Sequence, residues 1–295
     1  MKNLLLVMLS LLLIGSVANA AEIVADPADG SSTHVTWDGR YPYSFTQNGD
    51  PATLNAGVYT CGNTLYNYIT DCWAMRRFYF ADEGLAVPFT VQSIDWGVRR
   101  FVALADSVPG PYDITLYIGT IGVGLPLQFA NISWVNQVQV PITTADNPIA
   151  PAVGVPKNTP INALISDTVN NDLVVAFFAP ITYYMVPRIR FAESASNLGE
   201  TYESYYAFTD CGFDEPATPT ELGGPGQSQL VIVVNGDVYE EPAPGACCFP
   251  DGSCVMTLQA DCQGQWLGLP CEPENPCPPV PTEEKSWGQI KANYR

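Results

Sequence analysis

The sequence predicts an all-β protein: an antiparallel, jelly-roll-like β-sandwich, a small disulfide-rich module and a short C-terminal helix or tail. Apolar and polar residues alternate in many short segments, separated by turn-forming pairs such as Asn48-Gly49. No segment between the leader and residue 240 keeps the spacing of an amphipathic helix. Six of the nine cysteines fall between residues 246 and 278, which predicts the module. An immunoglobulin-like pair of sheets is the alternative topology.

Residues 1–20 have the pattern of a cleavable signal peptide. Lys2 precedes an apolar run of about a dozen residues, and Ala18-Asn19-Ala20 supplies the small residues that a signal peptidase needs. The run is shorter than the roughly 20 residues of a transmembrane helix. We therefore expect a secreted protein, extracellular or at the cell surface, with no transmembrane segment in the mature chain.

The β-sandwich domain is predicted to cover residues 21–240. Ile114, Leu116 and Ile118 share one face of a strand, and Val138 and Val140 alternate with polar neighbours. Residues 21–60 look irregular because turn signals dominate them. Strands are predicted at 76–80, 89–98, 112–121, 132–142, 161–165, 173–178, 183–191, 204–208 and 229–234.

The composition changes after the sandwich. A proline-rich linker at 241–245 precedes the cysteine-rich module at 246–278, and a C-terminal tail follows at 279–295. If the tail is helical, an apolar stripe forms on one side, which suits attachment to a partner or a membrane interface. A frayed terminus is the alternative. The stripe consists of Trp287, Ile290 and Tyr294.

Clustered cysteines in an exported protein predict disulfides. A zinc site would favour Cys-x2-Cys spacing, often with histidine, and neither occurs in the module. Adjacent Cys247 and Cys248 are expected to have different partners, because a vicinal bridge is strained. The pairing is otherwise open. The six module cysteines are Cys247, Cys248, Cys254, Cys262, Cys271 and Cys277.

The sandwich has three cysteines, an odd number. Cys61 and Cys72 form the simplest bridge by local spacing, and both are predicted to be in a disulfide. Cys211 is then expected to be a buried thiol, with an intermolecular partner as the alternative.

Charge and motifs argue against several functions. The formal net charge of −18 disfavours nucleic-acid binding. The single histidine, His34, lies in a strand-like segment, where a structural role is expected. There is no nucleophile elbow, zinc-protease motif or phosphate loop. We predict no catalytic residue and no cofactor, although the strand-borne carboxylates of Asp95 and Glu193 leave a carbohydrate-active enzyme open. Asp95 is expected to pair with Arg99, Arg100 or Arg188.

Calcium is the one ion that the sequence suggests, since oxygen-rich loops can bind it. Ordinary turn chemistry explains the same residues, because turns favour Asn, Asp and Gly. The candidate ligands are Asp26, Asp29, Asp50, Asp210 and Asp214.

Aromatic residues suggest a sugar-stacking surface if several face outward. Core filling is the simpler interpretation, because aromatic residues suit strand faces. The densest patch contains Tyr202, Tyr205 and Tyr206, and alternation predicts Tyr202 and Tyr206 on one face. The tryptophans considered for this surface are Trp37, Trp73, Trp96 and Trp134.

The predicted sandwich contains five short motifs: Arg76-Arg77-Phe78, Val91 to Val98, Ile114 to Tyr117, Asp210 to Pro216 and Leu230 to Gly236. With these motifs, residues 75–238 resemble a domain found in secreted proteins of environmental bacteria. The resemblance implies a jelly-roll-like sandwich without an assigned activity. Gly245 to Cys254 is similar to the "Gly-Ala-Cys-Cys" modules of such proteins, and Ser286 to Arg295 is similar to short C-terminal tails on them.

These observations lead to three hypotheses. The first is a non-catalytic extracellular or cell-surface binding or structural protein, adhesive or matrix-forming, whose partner is a surface polymer, a glycan or other copies of the chain through self-assembly. The second is a carbohydrate-binding module with Ca²⁺. The third is a glycoside hydrolase or lyase.

Overall fold

A computed structural model describes most of the chain. Residues 1–20, Asp29 and the tail that carries Trp287, Ile290 and Tyr294 lie outside the described residues, so the predictions made for them stay predictions. Among the described residues, no helix is long and apolar enough to cross a membrane. The described residues are 22–26, 32–37, 40–55, 58–63, 68–69, 71–102, 112–146, 154–180, 188–191, 193–194, 201–223, 229–239, 243–272 and 275–278.

The chain divides into two compact units, Met1–Tyr239 and Glu240–Arg295. The strands of the first unit are β1 (Glu22–Asp26), β2 (Ser32–His34), β3 (Tyr43–Thr46), β4 (Thr53–Asn55), β5 (Val58–Asn63), β6 (Tyr68–Ile69), β7 (Cys72–Phe78), β8 (Phe89–Val102), β9 (Tyr112–Gly122), β10 (Ile132–Ile142), β11 (Val155–Ile165), β12 (Asn171–Ala179), β13 (Arg188–Phe191), β14 (Glu193–Ser194), β15 (Tyr205–Phe208), β16 (Phe213–Ala217), β17 (Gln229–Leu230) and β18 (Ile232–Val238). The second unit contains β19 (Gly245–Cys248), β20 (Cys254–Thr257) and β21 (Gln265–Trp266). Short 3-10 helices cover Phe129–Asn131, Thr144–Asp146, Thr209–Cys211 and Gln259–Asp261.

Two antiparallel sheets form the sandwich. One has six strands in the order β10-β9-β12-β7-β15-β16, and the other has the order β11-β8-β18-β3, with β13 also paired to β8. The main core lies between them and contains inward-facing residues of both sheets, among them Ile114, Leu116 and Ile118 of β9 and the aliphatic residues of β8 and β18. The predicted all-β sandwich is confirmed.

Trp96 shows how the core is filled. It lies on β8, is 1% exposed, and its ring centroid is 4.8 Å from that of Phe177 on the opposite sheet. Its indole Nε1 donates a hydrogen bond of 2.9 Å to Oγ1 of Thr159, so the polar atom has a partner inside the core. Core filling is therefore the role of this tryptophan.

Most predicted strands are present, and β10 has the predicted bounds. Two regions differ. The described parts of residues 21–60 are not irregular, because they contain the short strands β1 to β4. β11 begins at Val155, six residues before the predicted start, and includes Pro156 and Pro160. Proline is tolerated there because β11 pairs only with β8 and lies at the edge of its sheet.

The predicted bridge between Cys61 and Cys72 is wrong. Cys61 forms a disulfide with Cys211, 150 residues away in sequence. Cys72 is buried and takes part in no disulfide. Local spacing misled the prediction, because the fold brings residues that are distant in sequence together. The expectation of a buried thiol at Cys211 is wrong for the same reason.

The second unit contains a three-stranded sheet in the order β20-β19-β21. All six of its cysteines form disulfides, and adjacent Cys247 and Cys248 have different partners, as predicted. A segment of this size buries too little apolar surface to be stable without such cross-links. The pairs are Cys247–Cys262, Cys248–Cys277 and Cys254–Cys271.

Candidate binding surface

The outer face of the six-stranded sheet carries a concentration of aromatic residues. Side chains on a strand alternate between faces, so Trp73 on β7 faces outward while Ala74 enters the core. On the next strand, β12, Phe178 is directly opposite Trp73. Tyr117 on β9 and Trp134 on β10 continue the row across the sheet. Aromatic side chains from four neighbouring strands therefore meet on this face.

We call Trp73, Tyr117, Phe129, Trp134 and Phe178 the tryptophan cluster. The rings of Trp73 and Trp134 are nearly parallel, with an interplanar angle of 18° and centroids 5.8 Å apart. Trp134 remains 39% exposed, whereas the other four side chains are half-buried. The cluster thus presents an aromatic surface to solvent. Around Trp73, the centroid distances are 5.1 Å to Tyr117, 5.2 Å to Phe129 and 4.8 Å to Phe178.

A glycine makes room for Trp134. Gly119 is opposite Trp134 in the pairing of β9 with β10. A Cβ atom at Gly119 would lie 2.8 Å from Cε3 of that indole, closer than van der Waals contact permits. The missing side chain lets the indole cover the neighbouring strand.

The loop between β9 and β10 lies over part of this face. Leu127 is buried in a cluster with Met75, Val174 and Ala176. The backbone N–H of Phe129 donates a hydrogen bond of 2.8 Å to Oε2 of Glu215, which belongs to the strand at the opposite edge of the sheet. These contacts hold the loop against the sheet beside the tryptophan cluster.

Arg77 fixes the start of the same loop. Its Nη2 lies 2.6 Å from Oδ2 of Asp172, and both side chains are almost completely buried. Its Nη1 donates to the backbone oxygen of Leu125 at 2.5 Å, and its Nη2 to that of Gly122 at 3.2 Å. The guanidinium is therefore paired and hydrogen-bonded inside the protein, as a buried charge requires.

Tyr79 and Tyr202 lie beside Arg77. The Arg77 guanidinium is 5.0 Å from the ring centroid of Tyr79, whose own centroid is 4.3 Å from that of Tyr202. The Tyr202 hydroxyl donates a 2.9 Å hydrogen bond to Oδ2 of Asp82. That hydrogen bond raises the pKa of Tyr202, and burial raises the pKa of Tyr79 and Tyr205. All three hydroxyls stay protonated at neutral pH, so these tyrosines add no charge to the surface.

The predicted tyrosine patch is divided by the fold. Tyr206 is 1% exposed and lies in the main core, whereas Tyr205 packs on the outer face and Tyr202 is exposed. The prediction that Tyr202 and Tyr206 share one face is wrong, because β15 begins only at Tyr205 and Tyr202 therefore does not belong to the strand. Tyr202, Tyr205 and Tyr206 therefore do not form one ligand surface.

The tryptophans also have separate positions. Trp37 donates from Nε1 to the backbone oxygen of Pro51 at 3.0 Å and packs against a small separate cluster. Trp73 and Trp134 meet on the outer face, as the sugar-stacking hypothesis requires.

The sequence patterns did not predict the other members of the tryptophan cluster. Tyr117, Phe129 and Phe178 were not among the candidates for the aromatic surface. A signal for Tyr117 was present, because it alternates with Leu116 and Ile118, which were assigned to the core. Phe129 comes from a loop, where alternation gives no information.

Asp95, a carboxylate considered for catalysis, is buried and hydrogen-bonded within the sandwich. It is 1% exposed and accepts hydrogen bonds from Nδ2 of Asn158 and Asn235, at 2.6 and 2.8 Å. The side chains of Glu193, Arg100 and Arg188 lie outside the description, so the arginine pairing predicted for Asp95 stays a prediction.

The structure of the described residues does not support the predicted calcium ligands. Oδ1 of Asp50 accepts a hydrogen bond from the backbone of Ala52, which is turn chemistry. Asp210 and Asp214 are exposed, and the side chain of Asp26 is outside the description. In the described residues, the one group of three potential ligands within 4.8 Å is formed by cysteine sulfurs that are already in disulfides.

The fold and this surface define the class: a β-sandwich protein with a partly exposed aromatic face and a disulfide-rich second unit. No protein-family model matches the chain, and no curated protein matches it. One similar solved structure is described as the cysteine protease and lectin-like domains of Cwp84, a surface layer associated protein of Clostridium difficile. The TM-score is 0.41 at 10% identity, and the match covers 69% of this chain and 37% of that one. A similarity of this size assigns no function here.

Proposed function

We propose that the protein is an exported, non-catalytic binding protein that takes a glycan on the tryptophan cluster. The observation that carries the proposal is the exposed indole of Trp134, which lies nearly parallel to Trp73 on the outer face of a sheet. The face of an aromatic ring carries negative charge density, which attracts the C–H groups of a sugar ring. Exposed apolar clusters on a soluble protein commonly mark interaction sites.

Export is part of the proposal. It is supported by the leader pattern in residues 1–20 and by four disulfides, which persist in oxidising surroundings outside the cytoplasm. The absence of catalytic motifs in the sequence supports a binding role, as does the use of Asp95 in hydrogen bonds to two asparagines.

A glycan array with the full mature protein tests the proposal. We expect binding to at least one glycan, and at least a tenfold loss of affinity for Trp134→Ala, a change of about 1.4 kcal/mol. Tyr239→Ala is the matched control, because Tyr239 is 41% exposed and lies outside the cluster. Melting curves of both variants check that they fold.

Two results would contradict the proposal. One is the absence of binding to any glycan. If, in addition, Trp134→Ala changes the oligomeric state measured by sedimentation, the cluster is a contact between copies of the chain. The other is the release of reducing ends from a polysaccharide, which would make the protein an enzyme.

A further inference from the structure

We infer, building on the proposed function, that the glycan is neutral and lies along β10, where Gln137 and Gln139 bind its hydroxyl groups beside the aromatic rings. Gln137 is opposite Tyr117, and Gln139 is opposite Thr115. Both glutamines are exposed, whereas Val140 enters the core. The two amides therefore lie beside the tryptophan cluster, on the same outer face of β10.

A bulge sets this arrangement. The pairing of β10 with β9 shifts between Trp134 and Asn136, so one extra residue is inserted at Val135. As a result, Trp134 and Gln137 are three residues apart yet face the same side. Without the shift, simple alternation would place them on opposite faces.

The glutamines are available to a ligand. Each amide offers two N–H donors and an oxygen acceptor, which matches the mixed donor and acceptor character of sugar hydroxyls. Within the part of the chain that the structure describes, neither side-chain amide hydrogen-bonds to the protein. Their exposed position keeps both groups solvated until a ligand binds.

Charge selects against acidic glycans. The six strands of the sheet contain two cationic residues, Arg76 and Arg77. Arg76 is buried and donates to the backbone oxygens of Leu230 and Tyr202, while Arg77 is held by Asp172. Both guanidinium groups are therefore committed inside the protein, and a carboxylate or sulfate on the ligand would meet a protein of net charge −18.

The surface is long enough for several sugar units. Trp134 is opposite Gly119 and Gln139 is opposite Thr115, so the two ends are four residues apart on β9. At about 3.4 Å per residue this is roughly 14 Å. We therefore expect affinity to rise from a monosaccharide to an oligosaccharide.

Calorimetry with neutral gluco-, manno- and xylo-oligosaccharides of increasing length, and with polygalacturonate and dextran sulfate, tests the inference. For the double variant Gln137→Ala and Gln139→Ala, we expect about a tenfold loss of affinity for the longest neutral ligand, as two lost hydrogen bonds imply. Gln92→Ala is the matched control, because Gln92 is an exposed strand glutamine on the other sheet. Gln137→Lys with Gln139→Lys should gain binding to the anionic polymers.

The outcomes separate the two proposals. If the wild-type protein binds no glycan, the proposed function fails. If Trp134→Ala loses binding while the double alanine variant keeps it, or if the wild type prefers the anionic polymers, only the inference fails. Thermal unfolding of each variant shows whether a loss is local.

Discussion

Gly119 lies directly across from Trp134, and a Cβ atom at Gly119 would lie 2.8 Å from the indole and from Cγ2 of Ile132. The position of the exposed tryptophan therefore depends on a missing side chain on the neighbouring strand. This is a steric relationship, and it can be tested without a ligand.

Gly119→Ala should displace the indole and lower the free energy of unfolding by about 1–3 kcal/mol, the usual cost of overpacking. Near-UV circular dichroism reports the indole, and denaturant titration reports stability. In a Trp134→Ala background the cost should fall, because one of the two clashes is gone. An unchanged cost in that background would contradict the steric explanation.

Asp172→Ala should destabilise the sandwich by about 3–5 kcal/mol, because it leaves the charge of Arg77 buried without its anion. Urea unfolding measures this. Replacing both partners, Arg77→Met with Asp172→Leu, should cost less than the single change. A double variant that costs as much as the single change would contradict the explanation by the unpaired charge of Arg77.

The disulfide between Cys61 and Cys211 should stabilise its unit more than Cys247–Cys262 stabilises the second unit. It closes a loop of 150 residues, against 15 for Cys247–Cys262. The chain-entropy relation gives roughly 5 and 3 kcal/mol for such loops. Denaturant unfolding of the two double serine variants measures the difference.

Peptide mapping checks the pairing itself. Digestion of the oxidised wild-type protein should recover a peptide that links Cys61 to Cys211. A peptide linking Cys61 to Cys72 would overturn the assignment, and the expected order of stabilities would then no longer follow.

Asp146 should make stability depend on acid pH. Burial raises its pKa, but hydrogen bonds from Lys157 and Thr143 outweigh burial, and the net shift is downward. A carboxyl group with a lowered folded pKa stabilises the protein above its unfolded pKa and loses this effect as pH falls through the folded value.

The variant Asp146→Asn should therefore be less stable than the wild type by up to about 1 kcal/mol at about pH 6, a limit that reflects solvent screening. Below about pH 4, where the unfolded carboxyl group becomes protonated, the difference should shrink. Unfolding curves across this acid range measure it, and a difference that stays constant would speak against the role of the Asp146 charge.

Local sequence patterns were sufficient to predict the strands with clear alternation and the disulfide-rich second unit. Ile114, Leu116 and Ile118 face the core because successive side chains on a strand point to opposite faces. Adjacent Cys247 and Cys248 have different partners for a local geometric reason.

Contacts between residues that are distant in sequence became visible only in the folded protein. The fold joins Cys61 to Cys211 and brings Trp73 beside Trp134, although neither pair is close in sequence. The start of β15 at Tyr205 accompanies the burial of Tyr206 in the core. Which strands become neighbours depends on the packing of the whole sandwich, and the alternation within one strand tells which face is buried but does not name the partner strand.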